Sequence, residues 1–414
     1  MLSNFVREYN INRVLLLTIG FWPFQSKHIK NLLWTSFFLL EISFCPWQIL
    51  LLYNNSNDTK MIFEGCYQFI LSVNFIGRQM NHLWNSDKCY TLNRLHTCYN
   101  QFRYLYKAID EHWDIFTNDV EIQILNDYAK LSRKVTKYYA MLLYIMMVIF
   151  LAIPLTSPLL DIVMPLNESR PRFFAFVIDF KDKNEYFLPT SCYITAIGIV
   201  ATNVMVSSDT THIMCILHVC SLFAAISTQV ENIIPKDNNI KINKREYEMG
   251  LDSSNEKITY QTYIKCLKKY QLALEFVDKL DSCNTTISLI TLISVIGVIS
   301  SAGIQIVFVK NHLNDLIKPL VILMGSLGCL MILCYSGQIL TNESQNIFYR
   351  AYAAEWYKFS PRLKCVLIMM LYKSNVPRGL KAGKMIPLSI STYETVVRTA
   401  VSYFTTFLSF QKFN

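Results

Sequence analysis

Residues Asn284–Val309 read NTTISLITLISVIGVISSAGIQIVFV, a stretch without a single charged side chain. Wound as an α-helix it is long enough to cross the ~30 Å of hydrocarbon in a bilayer. Working outward, six more apolar runs of similar length stand at Leu32–Tyr53, Met61–Leu83, Tyr138–Leu160, Phe187–Val206, Ile317–Leu340 and Ser389–Phe410. The chain of 414 residues is 52% hydrophobic and 17% charged, whereas a soluble domain carries about a quarter charged residues. The fold class expected is an all-α membrane protein with seven transmembrane helices. Glu64, Asn74 and Arg78 interrupt the run Met61–Leu83. The two charges sit near opposite ends of it, so snorkelling to the two interfaces is the simplest expectation.

Orientation follows from lysine and arginine. They crowd the stretches Lys88–Lys134, Lys236–Lys279 and Arg350–Lys384 and thin out in the alternate ones. That bias predicts a cytosolic N-terminus and an extracellular C-terminus. It also accounts for the net charge of +9 without invoking nucleic acid. Asn54, Asn57 and Asn167 head N-x-S/T triplets in expected outer loops; Asn284 and Asn342 match the same triplet at membrane or cytosolic positions. Val14–Phe24 is apolar but short, and no small-residue cleavage site follows, so no secretory signal is expected. The twelve cysteines suggest no disulfide framework. Cys45, Cys66, Cys192, Cys329 and Cys334 lie in apolar runs; Cys89, Cys98, Cys266 and Cys365 fall in expected cytosolic segments, where thiols stay reduced.

Amphipathic spacing extends two of the helices into the cytosol. Ile122, Leu125, Ala129 and Leu131 precede the third run. Tyr260, Ile264, Leu267, Tyr270, Leu274, Val277 and Leu280 precede the fifth at intervals of three and four. The polar stretch Pro235–Glu256 reads as a loop. The organisation expected is a cytosolic segment 1–31, a six-helix transmembrane bundle 32–340 with cytosolic extensions, a cytosolic anchor segment 341–388, and a seventh helix with a short outer tail at 389–414.

No enzyme motif is present: there is no GxSxG, P-loop, GxGxxG or HExxH, and no Cys/His spacing for zinc. The histidines are dispersed and read as isolated polar side chains. Seven spans suggest a G-protein-coupled receptor, but the N-terminus is expected inside, no NPxxY stands in the last span, and no DRY closes the third. The last run has the most pattern. Thr395, Thr399, Ser402, Thr406 and Ser409 form one stripe with a period near 3.5, opposite Val397, Val401, Phe404 and Leu408. Such a stripe either packs helices together or lines a wet path in an oligomer. On periodicity alone packing is favoured.

From Tyr335 onward the chain resembles the insect odorant receptor family. The ordered elements are Tyr335-Ser336-Gly337-Gln338, Ala351-Tyr352, Trp356-Tyr357, the basic-apolar run Arg362–Tyr372, Pro377, Leu380-Lys381-Ala382-Gly383, Pro387-Leu388-Ser389, Thr392-Tyr393-Glu394 and Thr399-Ala400-Val401-Ser402-Tyr403-Phe404. The remaining four-fifths agrees in length, span count and topology. The resemblance implies a subunit of a ligand-gated, nonselective cation channel. It also implies a heterotetramer with a shared odorant co-receptor subunit, in the plasma membrane of olfactory sensory neuron dendrites. There a small volatile ligand would admit cations and depolarise the cell. The chain looks like a tuning subunit, since it lacks the co-receptor's long insertion in the second inner loop. By the same resemblance the seventh helix lines the pore through Thr399, Ser402, Thr406, Ser409 and Phe410. Thr406 and Phe410 stand at the gate, where the co-receptor has apolar residues at both positions; Thr406 departs from that. A gustatory receptor of the same superfamily is the alternative, and a G-protein-coupled receptor a more remote one.

For a ligand pocket the family offers no motif. Volatile ligands are small and mostly apolar, so an aromatic and methionine-rich lining is expected. In the outer halves of the runs that chemistry selects Tyr67, Phe69, Ile70, Val73, Met146, Met147, Phe150, Tyr193 and Ile197. No cofactor or metal is expected.

Overall fold

The computed structural model describes residues 2–86, 101–163, 174–178, 186–232, 252–308, 313–354 and 356–413. In order, the elements are α1 (Ser3–Thr18), α2 (Lys27–Asn54), α3 (Thr59–Ser86), α4 (Gln101–Ile115), α5 (Asp119–Val163), α6 (Phe187–Asn232), α7 (Asp252–Phe308), α8 (Leu313–Ala353) and α9 (Pro361–Ser374). A short hairpin, β1 (Lys381–Ala382) and β2 (Ile386–Pro387), then leads into α10 (Ile390–Phe413).

The seven apolar runs are carried by α2, α3, α5, α6, α7, α8 and α10. Among the described residues α2, α5, α6, α7 and α8 are long and apolar enough to cross a membrane by length and composition alone. The other two are more polar, α3 through Lys60, Glu64 and Arg78, and α10 through Glu394, Arg398 and its hydroxyls. Both still belong to the bundle: α3 packs on α2 and α7, and α10 on α7 and α8. Most of the apolar stretch is buried in α6 and α7 and exposed in α2, α5 and α8. The outward face of α5 shows Met141, Leu142, Ile145, Val148 and Ile149, and that of α2 shows Leu32, Leu39 and Ile49. An apolar exterior of this extent is stable against lipid, not water.

Glu64 and Arg78 correct the expectation of snorkelling. Both are buried. Glu64 accepts a hydrogen bond from Gln305 Nε2 at 3.1 Å and lies 3.7 Å from Lys318 Nζ. Arg78 is paired with Asp209 on α6. Each charge found a partner on a neighbouring helix, which removes the reason to reach for the interface.

The helices outrun the bilayer. α7 has 57 residues and α6 has 46, about 85 and 70 Å at 1.5 Å per residue. Their excess gathers with α1, α4, α9 and the hairpin around one large core that includes Phe5, Leu16, Tyr106, Phe223, Tyr270 and Met370. The extensions of α5 and α7 follow the expected spacing. Leu125, Ala129, Tyr270, Leu274, Val277 and Leu280 are buried, although Leu131 and Tyr260 are exposed. Helices α1 and α4 and the continuation of α6 through residues 207–232 go beyond the expectation. Arg133 of α5 donates to Glu8 of α1 at 2.6 Å, and the extensions of α5 and α7 are joined where Lys269 Nζ donates to both oxygens of Glu121 at 2.7 Å. Burial alone would raise the Glu8 pKa, but Arg133 and Arg7 outweigh it and hold that carboxyl below its ordinary value.

The hairpin turns at Gly383 (φ +60°) and Lys384 (φ +64°). Gly383 N–H donates to the Thr285 carbonyl at 2.8 Å, and a Cβ there would lie 2.7 Å from Leu289 Cδ2. Left-handed backbone and close approach both call for glycine. The boundary expected at residue 340 falls inside the continuous helix α8. The loop Pro235–Glu256 lies outside the described residues up to 251, and α7 begins at Asp252; Cys89, Cys98 and Asn167 are also outside them. Asn54 ends α2 and Asn57 lies in the turn to α3.

Candidate functional site

Five helices leave a cavity of about 180 Å³ between them. Leu71, Asn74, Phe75 and Arg78 come from α3, where steps of three and four turn them to one face. Leu143, Met146, Met147 and Phe150 repeat the same steps on α5. α6 adds Gly198, Ala201, Thr202 and Met205, α7 adds Thr291, Ser294, Val295 and Val298, and α8 adds Val321, Ile322, Gly325 and Cys329. Phe176, from the short stretch 174–178, also lines it. Its ring lies 5.6 Å from Phe44 and 5.0 Å from Phe150, within range of aromatic pairing.

The wall is largely apolar, and Arg78 is the one charged residue among the described residues that line it. Arg78 Nε donates to Asn74 Oδ1 at 2.9 Å, and its guanidinium pairs with Asp209. Tyr139 of α5 donates to the second Asp209 oxygen at 2.6 Å and lies 3.4 Å from Cys329 Sγ. Asn74 in turn reaches Thr291 at 3.4 Å. This network links α3, α5, α6, α7 and α8 beside the cavity. With its charge neutralised, Arg78 gives the site little attraction for an anion. Other wall hydroxyls bond to their own helices, Thr202 to the Gly198 carbonyl at 2.8 Å and Ser294 to the Ile290 carbonyl at 2.7 Å. The chemistry on offer is therefore a small, apolar volume between the helices. No group of His, Cys, Asp and Glu among the described residues could hold a metal ion.

Of the residues selected by chemistry, Met146, Met147 and Phe150 line the cavity. Ile197 lines an adjoining recess with Glu41 and Gln68. Tyr193 sits at the same end, its hydroxyl 2.7 Å from Ser43 Oγ. Tyr67 is fully buried away from the cavity wall. Ile70 packs on α7, its Cδ1 2.8 Å from where a Cβ on Gly297 would stand. Phe69 is half-buried and Val73 exposed. Arg78 and Asn74 were visible in the sequence as polar interruptions of an apolar run. Asp209 and Tyr139 gave no such signal, because their partnership exists only across helices.

Helix α10 turns Val396, Ala400 and Phe404 inward. Ser300 Oγ donates to the Ala400 carbonyl at 3.1 Å, and Phe404 lies against Gly303. Val401, on the stripe opposite the hydroxyls, is exposed. The hydroxyl stripe points away from this chain's own bundle: Thr399 is half-buried, and Thr395, Ser402, Thr406 and Ser409 are exposed. The hydroxyls bond to their own backbone, Thr399 to Thr395 at 2.7 Å and Thr406 to Ser402 at 2.8 Å. Phe410 continues the helix.

The histidines are not all isolated, which corrects the sequence reading. His112 Nδ1 of α4 lies 3.1 Å from His218 Nε2 of α6, and Tyr9 of α1 lies 3.4 Å from His218 Nδ1. Burial lowers the His112 pKa to about 4. An unfolded chain protonates this imidazole near pH 6.5, so acid favours unfolding in the window between about 6.5 and 4. Stability is expected to fall by roughly 2 kcal/mol between pH 7 and 5 from His112 alone. Thermal unfolding at both pH values tests this; His112→Gln should flatten the dependence.

An all-helical bundle with an apolar exterior and an apolar cavity between its helices has the form of a multi-pass membrane receptor. The model of the 7tm odorant receptor family matches residues 58–401, and the chain belongs to that family. It is 22% identical to odorant receptor 13a of Drosophila melanogaster over 96% of this chain and 94% of that protein. It is 32% identical to Drosophila odorant receptor 33a over 78 residues, 19% of this chain and 21% of that one. Its fold matches the insect olfactory receptor OR5 of Machilis hrabei in complex with eugenol, with a TM-score of 0.76, 10% identity and 99% of each chain covered.

Proposed function

We propose that this protein is the tuning subunit of an odorant-gated, nonselective cation channel. It would assemble with a shared co-receptor subunit in olfactory sensory neuron dendrites and convert binding of a volatile molecule into depolarisation. The observation that carries the reading is the apolar cavity of about 180 Å³ between the helices, small beside the ~300–1,000 Å³ of drug-sized sites. Met146, Met147 and Phe150 are the ligand-binding residues, with Ile197 and Tyr193 toward the adjoining recess; Tyr67, Phe69, Ile70 and Val73 support the wall from behind. Thr399, Ser402, Thr406, Ser409 and Phe410 line the pore, and the exposed hydroxyl face of α10 supports that role. The N-terminus is cytosolic, and residues 341–388 form the anchor between subunits. Ligand opens the channel to the extent that it binds the open state better than the closed one.

Whole-cell recording with a co-expressed co-receptor tests the reading. Odorant-evoked cation current is expected; silence across a broad panel despite surface expression would count decisively against it. Two substitutions sharpen the test. Thr406→Cys is expected to react with external thiol reagents faster when ligand is present, and equal rates would return the stripe to a packing role. Gly325 has open space in front of its missing Cβ. Gly325→Val should fill part of the cavity, raising the half-maximal concentration of bulky ligands about tenfold or more while sparing smaller ones. A uniform shift for all ligands would remove this volume from consideration as the binding site.

A further inference from the structure

Glu41 stands midway along α2, inside the apolar zone, and is 3% exposed; Gln68 on α3 is 1% exposed. Together they line a recess of about 20 Å³. Neither carboxylate oxygen of Glu41, and neither amide atom of Gln68, has a hydrogen-bond partner among the described residues. Gln79 lies beside Glu41 without a hydrogen bond that satisfies either group. The contrast is with the two buried charges of α3, since Arg78 has Asp209 and Glu64 has Gln305 and Lys318. Leaving buried polar atoms unpaired is costly, and an ionisable side chain within a span points to a functional site. The recess shares Leu71, Phe75, Phe176 and Ala201 with the ligand cavity.

We propose that the recess is the hydrogen-bonding subsite of that cavity, and that the preferred ligands are small apolar alcohols or phenols whose hydroxyl donates to Glu41. This rests on the cavity being the ligand site. The recess has room for about one water-sized group, while the larger chamber takes the apolar body. A hydroxyl fits both partners: it donates to the Glu41 carboxyl and accepts from the Gln68 amide N–H. An ether or ester can only accept, so it leaves the acceptor oxygen of Glu41 unpaired. The carboxyl disfavours an anionic ligand, and Arg78, already neutralised by Asp209, offers such a ligand no compensating charge.

The test uses the full-length protein in nanodiscs and matched probes, an alkanol and the methyl ether of equal heavy-atom count. Wild-type protein is expected to bind the alcohol about tenfold more tightly, the effect of one hydrogen bond. Glu41→Leu should bring the ratio close to one, and Gln68→Leu should reduce it. Glu41→Gln, which keeps an acceptor, should retain most of the preference. Should Glu41→Leu fail to fold, Gln68→Leu carries the same comparison. Equal affinity in the wild type, no binding of either probe, or a preference that survives both leucine variants would overturn the proposal and leave the recess a site for structural water. Current recordings separate this from the channel reading. Alcohol-selective binding without current keeps the subsite and rejects the channel; current without alcohol preference does the reverse.

Discussion

Replacing Arg78 by leucine is expected to lower the stability of the protein by about 3–5 kcal/mol, the cost of leaving one partner of a buried ion pair uncompensated. Arg78 is buried and pairs with Asp209, which also accepts from Tyr139 at 2.6 Å. Without the guanidinium, Asp209 keeps one phenol and loses its countercharge. The cavity wall is disturbed with it, since Arg78 also orders Asn74. Thermal unfolding of purified protein in detergent gives the comparison. The double variant Arg78→Leu with Asp209→Asn should recover most of the loss, because no charge then remains to be buried. A single variant as stable as the parent would show that the pair contributes nothing.

Gly337→Ala should be the second large effect, and its sign is diagnostic. In a helix, alanine ordinarily stabilises by about 0.5–1 kcal/mol over glycine. At Gly337 the added Cβ would lie 2.5 Å from the Leu388 carbonyl oxygen and 2.6 Å from Leu388 Cβ. Leu388 is held by its N–H to the Leu380 carbonyl at 3.0 Å and stands two residues before the start of α10. The backbone must therefore shift, and a net loss toward the upper end of about 1–3 kcal/mol is expected. Gly325→Ala is the control. It lies on the same helix with no atom within 4 Å of its Cβ position, so it should show the ordinary gain. Unfolding midpoints of the two variants decide the matter; a gain at both positions would mean that α8 and the strand before α10 are not in close contact.

The seven runs were readable because hydrocarbon imposes a minimum length and tolerates few charges. Asn284–Val309, taken alone, is enough to define a membrane span. The hydroxyl period of α10 was equally plain, as was the ordered set from Tyr335 to Phe404. The pocket was only partly legible. Met146, Met147 and Phe150 share a face of α5, so choosing one favours the others. Tyr67 and Val73 have suitable chemistry but do not line this cavity, whose α3 wall is built from Leu71, Asn74, Phe75 and Arg78. Composition reports which side chains suit a pocket, whereas the azimuth of each helix depends on its neighbours.

Glu64 and Arg78 make the division concrete. Their presence in an apolar run was evident, and an isolated helix would carry such charges toward its interfaces. Only the assembled bundle brought Lys318 and Asp209 to them. His112 and His218, 106 positions apart, likewise met only when α4 packed beside α6. The sequence by itself determined the number of spans, their approximate limits, the family and the chemical character of the last helix, because these follow from local composition and order. The tertiary structure decided which side of each helix faces outward, a neighbouring helix or the cavity, since a rotation of one residue, about 100°, exchanges those surfaces without altering the hydropathy of the run.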